Sequence, residues 1–149
     1  MVTTTLSLTG RALRMLSARE HSRAELERKL ARFEEEPGTL AQVLDALQSK
    51  DFINEARVVE SVVHRRSAKL GASRIKQELQ AKGLEPEAIA EAVQKLRASE
   101  LDRAREVWRK KFGSPPTDAA ERGKQMRFLA SRGFGGDTIH KVVSGEWEG

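Results

Sequence analysis

The chain has 149 residues, of which 33% are charged, a formal net charge of +5, and neither cysteine nor tyrosine. Without cysteine there is no disulfide framework and no thiolate chemistry, no apolar run approaches the roughly eighteen residues of a membrane helix, and no signal-peptide pattern is present. A cytoplasmic protein is expected, either one domain with a real core or about three small helical repeats.

Apolar spacing predicts a first helix over roughly 9–18 with Leu13 and Leu16 inward. A second opens at a capping box formed by Ser22 and Glu25 and carries Leu26, Leu30 and Phe33 on one face. Pro37-Gly38 ends it, and Thr39 is expected to cap a third with Leu40, Val43, Leu44 and Leu47 inward. Phe52-Ile53 should pack into a turn before Asn54 caps the fourth, which runs from about Glu55 to Leu70 and carries Val59, Val62, Val63 and Leu70. Ser73 is expected to cap a fifth with Ile75 and Leu79, and Pro86 to start a sixth with Ile89, Val93 and Leu96. Ser99 and Asp102 open a seventh with Leu101, Ala104, Trp108 and Phe112 inward, stopped by Gly113-Ser114-Pro115-Pro116. The eighth spans Asp118 to Arg132 with Met126, Leu129 and Ala130 inward and Gly123 allowing a close approach. Asp137 should cap a ninth with Ile139, Val142 and Val143, followed by a short acidic tail around Trp147.

Two of these junctions are the same event fifty residues apart: Leu79-Gln-Ala-Lys-Gly83-Leu84 and Leu129-Ala-Ser-Arg-Gly133-Phe134. In each, glycine takes the left-handed position beyond a helix, and the next apolar residue folds back on the leucine four positions before the glycine. One sequence event repeated at a fixed offset implies one repeated structural unit. The expectation is an all-α chain of three tandem three-helix repeats in an elongated, curved array. Its helices group over roughly 9–49, 55–97 and 100–144, dividing the chain into 1–54, 55–98 and 99–149.

The charge is unevenly placed. Residues 1–54 balance eight bases against eight acids, 65–82 hold six bases against Glu78, and 103–132 hold nine bases against three acids. That bias suggests a polyanionic partner met by the later repeats, with the neutral first repeat supplying position and shape. The contact candidates are Arg65, Lys69, Arg74, Lys76 and Lys82 in repeat two, with Arg109, Lys110, Lys124, Arg127, Phe128 and Arg132 in repeat three. Arg66 shares the azimuth of the fourth helix's apolar stripe and should lay its stem on the core. Lys110 follows Glu106 by four residues and fits a surface ion pair. Phe128 lies among basic residues away from its helix's main stripe; it either meets a partner or packs on a neighbouring helix. His21, His64 and His140 fall in three different repeats, with no carboxylate at metal-ligand spacing, so no metal, cofactor or catalytic centre is expected.

Three segments in order resemble the RecX regulatory family. They are Ala12-Leu-Arg-Met-Leu16 with Arg19-Glu-His21-Ser22 through Leu30, Arg66-Ser-Ala-Lys-Leu-Gly71 leading to Arg74-Ile75 through Leu84, and Gly123-Lys124 through Phe134. One stretch departs from the family pattern: Asp51-Phe52-Ile53-Asn54-Glu55 stands where a Gly-aromatic-Leu-Asp-Asp turn is common, and Val58 stands in place of a Phe. The resemblance implies an inhibitor of the RecA recombinase that lies in the groove of the RecA filament on single-stranded DNA; a non-enzymatic monomer is expected. It would depress ATP hydrolysis, strand exchange and filament-stimulated repressor cleavage. Two other readings stay open: a helical protein binding single-stranded DNA or RNA directly, and an adaptor whose repeats hold another protein.

Overall fold

The computed structural model describes residues 6–145, so Trp147 and the acidic tail lie outside the described residues. Among the described residues there are nine α-helices and no strand. The first three are α1 (Leu8–Ala18), α2 (Arg23–Leu30) and α3 (Thr39–Ser49), with a 3₁₀ turn at Ala31–Phe33 after α2. The Ser7 hydroxyl accepts from the Gly10 amide to start α1, and both halves of the Ser22/Glu25 capping box are formed at α2. Gly38, at φ 91°, is the cap residue of α3; Thr39 lies inside the helix and its hydroxyl donates to the Glu36 carbonyl.

The second group is α4 (Glu55–Arg66), α5 (Ala72–Ala81) and α6 (Pro86–Ala98). Asn54 caps α4 by accepting from the Arg57 amide at 3.0 Å. This helix stops at Arg66, short of Leu70, because the Ser67 and Leu70 carbonyls accept from the Arg103 guanidinium at 2.8 and 2.6 Å. Ser73 does not cap α5: Gly71 holds that position and Ser73 is the helix's second residue.

The third group is α7 (Glu100–Lys111), α8 (Ala119–Ser131) and α9 (Gly136–Ser144). Asp118 caps α8 through the Glu121 amide. Ser99 stands at the α7 cap without capping through its side chain, which donates to Leu96 and accepts from Arg103 instead. Gly135, not Asp137, is the α9 cap, leaving Asp137 in the first turn where its charge complements the helix dipole.

Each group encloses its own core. Leu26, Leu30, Leu40, Leu44 and Leu47 fill the first, joined by Ile53. Val58, Val62, Ile75, Leu79, Ile89 and Leu96 fill the second, and Ala104, Trp108, Leu129, Phe134, Ile139 and Val142 the third. Three expectations change at this level. Phe52 is 46% exposed while Ile53 beside it is buried. Val58, not Val59, is the deeply buried residue of α4 alongside Val62, with Val59 and Val63 packed at the margin. In α8 the residue buried with Leu129 is Gln125; Ala130 faces outward. Gln125 is admissible because its carbonyl accepts from Trp108 Nε1 at 2.8 Å and its amide donates to the Ser114 carbonyl, leaving no buried polar atom of that side chain unpaired.

Candidate interaction surface and the joints that orient it

The repeated glycine turns are the joints between repeats. At the first joint the N-terminus of α2 meets the α5–α6 turn. Ser22 Oγ donates to the Lys82 carbonyl at 2.6 Å, and Lys82 Nζ returns to Glu25 at 3.3 Å. Glu25, 4% exposed, also takes Arg19 at 2.8 Å and the Ser22 amide at 3.0 Å. Burial alone would raise this carboxyl; Arg19, the Ser22 amide and Lys82 outweigh it and bring the pKa down to about 2. His21 is buried beside this network with Nδ1 3.0 Å from the Arg19 carbonyl, and its pKa is lowered chiefly by burial. Arg57 of α4 adds an ion pair to Glu20 at 2.8 Å.

At the second joint the N-terminus of α5 meets the α8–α9 turn in the same way. The Gly71 amide donates to the Arg132 carbonyl at 2.8 Å, and the Ser73 amide to the Gly133 carbonyl at 3.3 Å. Glu100, 5% exposed, accepts from the Ala72 amide at 2.9 Å and from Thr138 Oγ1 at 3.3 Å. A side chain from repeat three thus caps a helix of repeat two, which explains why no local residue does so. The sequence marked Glu25 by its capping spacing; Glu100 and Arg103 carry no comparable local signal, because the backbone groups they hold across the joint, at Ala72, Ser67 and Leu70, lie 28 to 36 positions away.

The predicted contact residues divide by what they already touch. Lys82 is committed to Glu25, and the Arg74 guanidinium donates to the Ser131 carbonyl at 2.7 Å, so both belong to the joints. Arg65 and Arg66 share Glu78 at 3.8 and 3.0 Å, which holds the Arg66 head at the surface. Arg109, not Lys110, pairs with Glu106. Lys69, Lys76, Lys110, Lys124, Arg127 and Arg132 are exposed and make no ion pair among the described residues. Four of those six lie in repeat three. Lys76 borders an open groove between α5 and α6 with Arg97, over a floor of Leu84, Ile89 and Val93. Phe128 is half-buried, edge-on to Phe112 at 5.4 Å, with the Arg132 guanidinium carbon 4.7 Å and Lys111 Nζ 5.5 Å from its ring centroid. It therefore packs on a neighbouring helix and holds cations at the surface at once. The Gly123 position is overlain by the Arg127 guanidinium of its own helix rather than by another helix.

A series of three-helix units joined by one repeated turn contact defines a tandem helical-repeat protein. No group of three or more metal-ligating side chains is found among the described residues, and none of their helices is long and apolar enough to cross a membrane.

The models of the first, second and third RecX three-helix domains match residues 10–47, 54–93 and 98–143. The chain belongs to the RecX family of regulatory proteins. It is 54% identical over 138 residues to the regulatory protein RecX of Leptothrix cholodnii, covering 93% of this chain and 88% of the relative. It is 48% identical over 143 residues to that of Herminiimonas arsenicoxydans, covering 96% and 95%. The crystal structure of RecX from Lactobacillus salivarius superposes with a TM-score of 0.76 at 20% identity, covering 93% of each chain, a likeness of fold.

Proposed function

We propose that this chain is a cytoplasmic, non-enzymatic monomer that binds the RecA–single-stranded DNA filament and inhibits its ATP hydrolysis, strand exchange and repressor cleavage. Family membership supports RecA as the target. The observation in this molecule that carries the reading is the set of unpaired cations around Phe128, presented on a body whose repeats are locked in series by buried hydrogen bonds. A body of three linked repeats spans several filament subunits. Bridging neighbours would hold them against the cycling that ATP hydrolysis requires. The division into repeats at 1–54, 55–98 and 99–149 is part of this proposal, with repeat three as the principal contact unit.

The test is RecA's single-strand-dependent ATP hydrolysis with this protein titrated from far below to equal stoichiometry. Inhibition at fewer than one copy per RecA, persisting with DNA in excess, is the expected result. A requirement for one copy per RecA would replace it with monomer sequestration. Inhibition abolished by excess DNA would favour the second reading, direct binding of single strands, which the Lys124/Arg127 pair also supports.

A further inference from the structure

Repeat one is electrically neutral in composition but not in space. Arg11, Arg14, Arg28, Lys29 and Arg32 line one open groove of about 540 Å³ between α1 and the end of α2, and no carboxylate lines it. The acids of this repeat that form ion pairs do so elsewhere: Glu20 and Asp51 with Arg57, Glu25 with Arg19 and Lys82, Glu27 and Asp45 with Arg23. Arg11, Arg14, Lys29 and Arg32 make no ion pair among the described residues. The half-buried ring of Phe33 sits among them, with the Arg11 guanidinium carbon 3.7 Å and the Arg32 guanidinium carbon 4.6 Å from its centroid. The ring holds both guanidiniums by cation–π attraction, and their N–H donors stay unspent.

We propose that this groove is a second nucleic-acid site, taking the phosphate backbone of a single strand. Arg14, Lys29 and the ring-held Arg11 and Arg32 contact phosphates, and the half-buried Met15 and Phe33 of the floor face the bases. Unpaired cations over an apolar, aromatic floor suit a polymer that alternates charge with flat apolar rings. An acidic protein surface would use the charge but not the floor. The site needs no recombinase, so it stands apart from the reading given above, and it places a contact at the end of the molecule opposite the Phe128 cluster.

The test is fluorescence anisotropy of a labelled oligothymidylate titrated with the full chain at several salt concentrations, without recombinase. Arg14 and Lys29 are exposed, so R14E/K29E keeps the fold, checked by its melting temperature. That variant should bind about tenfold more weakly, with a log–log salt slope shallower by about 1.4, two contacts at ~0.7 each. K50E/K95E makes the same net charge change at exposed positions away from the groove and should shift affinity by no more than about twofold. Phe33→Leu removes the ring that positions two guanidiniums but no cation; it should weaken binding about fivefold with the slope little changed. Equal binding by R14E/K29E and K50E/K95E, or no binding by the parent chain, overturns the proposal. Unaltered oligothymidylate binding by R14E/K29E with loss of ATPase inhibition would also overturn it, assigning the groove to a protein surface. Because recombinase is absent from the binding assay, its outcome is independent of whether the chain inhibits RecA.

Discussion

Glu25 concentrates much of the first joint in one buried carboxylate. Its folded pKa of about 2 lies below the value near 4.3 of an unfolded glutamate. The stability it contributes is therefore fully present above about pH 4.5 and is lost as pH falls toward 2. Glu25→Gln is expected to cost about 2–3 kcal/mol at neutral pH and to flatten the acid limb of stability between pH 4.5 and 2, measured by urea unfolding at a series of pH values. An unchanged acid limb would mean that Glu25 does not carry it. His21 acts in the same direction: burial lowers its pKa in the fold, so below about pH 6.5 the unfolded chain takes up a proton that the buried ring resists, and stability falls with pH there too. On the surface, Lys124 and Arg127 make no ion pair. Reversing both to Glu should weaken filament binding at least about tenfold while moving the melting temperature little; a large drop in melting temperature would show that the pair is structural.

At the scale of the element, the glycines rank by what surrounds them. Gly38, Gly83 and Gly133 all have positive φ, which costs an alanine roughly 1 kcal/mol. Around Gly38 nothing lies within 4 Å of an added Cβ. At Gly83 the Cβ would fall 2.7 Å from the Ala24 Cβ, and at Gly133 it would fall 2.7 Å from the Arg74 amide nitrogen, with the Arg74 side chain against it as well. Alanine at Gly38 should therefore cost about 1 kcal/mol, and at either joint glycine at least about 2 kcal/mol, Gly133 the more because backbone cannot swing aside. Thermal unfolding of the three variants checks the order, and similar costs at all three would mean that the joints are loose. The two turns serve the same purpose in both places: a left-handed glycine lets the next repeat's backbone approach closely enough to accept from a helix N-terminus.

For the whole molecule, stability resides in three small cores coupled through two joints, the arrangement in which each unit feels only its neighbours. Arg103 is the largest single tie across the second joint, donating to Ser67, Leu70 and Leu96 together. Arg103→Ala should separate the unfolding of repeat three from the rest. Followed by urea in a Trp147→Phe background, Trp108 fluorescence would report a midpoint below that of helical circular dichroism; coincident midpoints would show that the core contacts of α6 with α7 suffice to couple the repeats. The same serial build underlies the function proposed: fixed joints give the cation-bearing surfaces a constant spacing, which a filament of regularly spaced subunits can use.

Helical class, the capping box at Ser22, the Asn54 cap, and most core residues were legible in the sequence. All follow from contacts within one or two turns, where spacing along the chain is spacing in space. The twin glycine turns were legible as a repeat but not as joints. Ser73 failed as a cap, α4 ended early, and Lys82 and Arg74 left the set of free cations for one reason: each is decided by a partner 28 to 57 positions away. The neutral sum over residues 1–54 likewise concealed a basic groove, because composition counts charges while the fold decides which of them meet an acid. Local periodicity determined the helices of this protein and their inward faces; only the packing of repeat on repeat decided which charges are spent in holding it together and which remain for a partner.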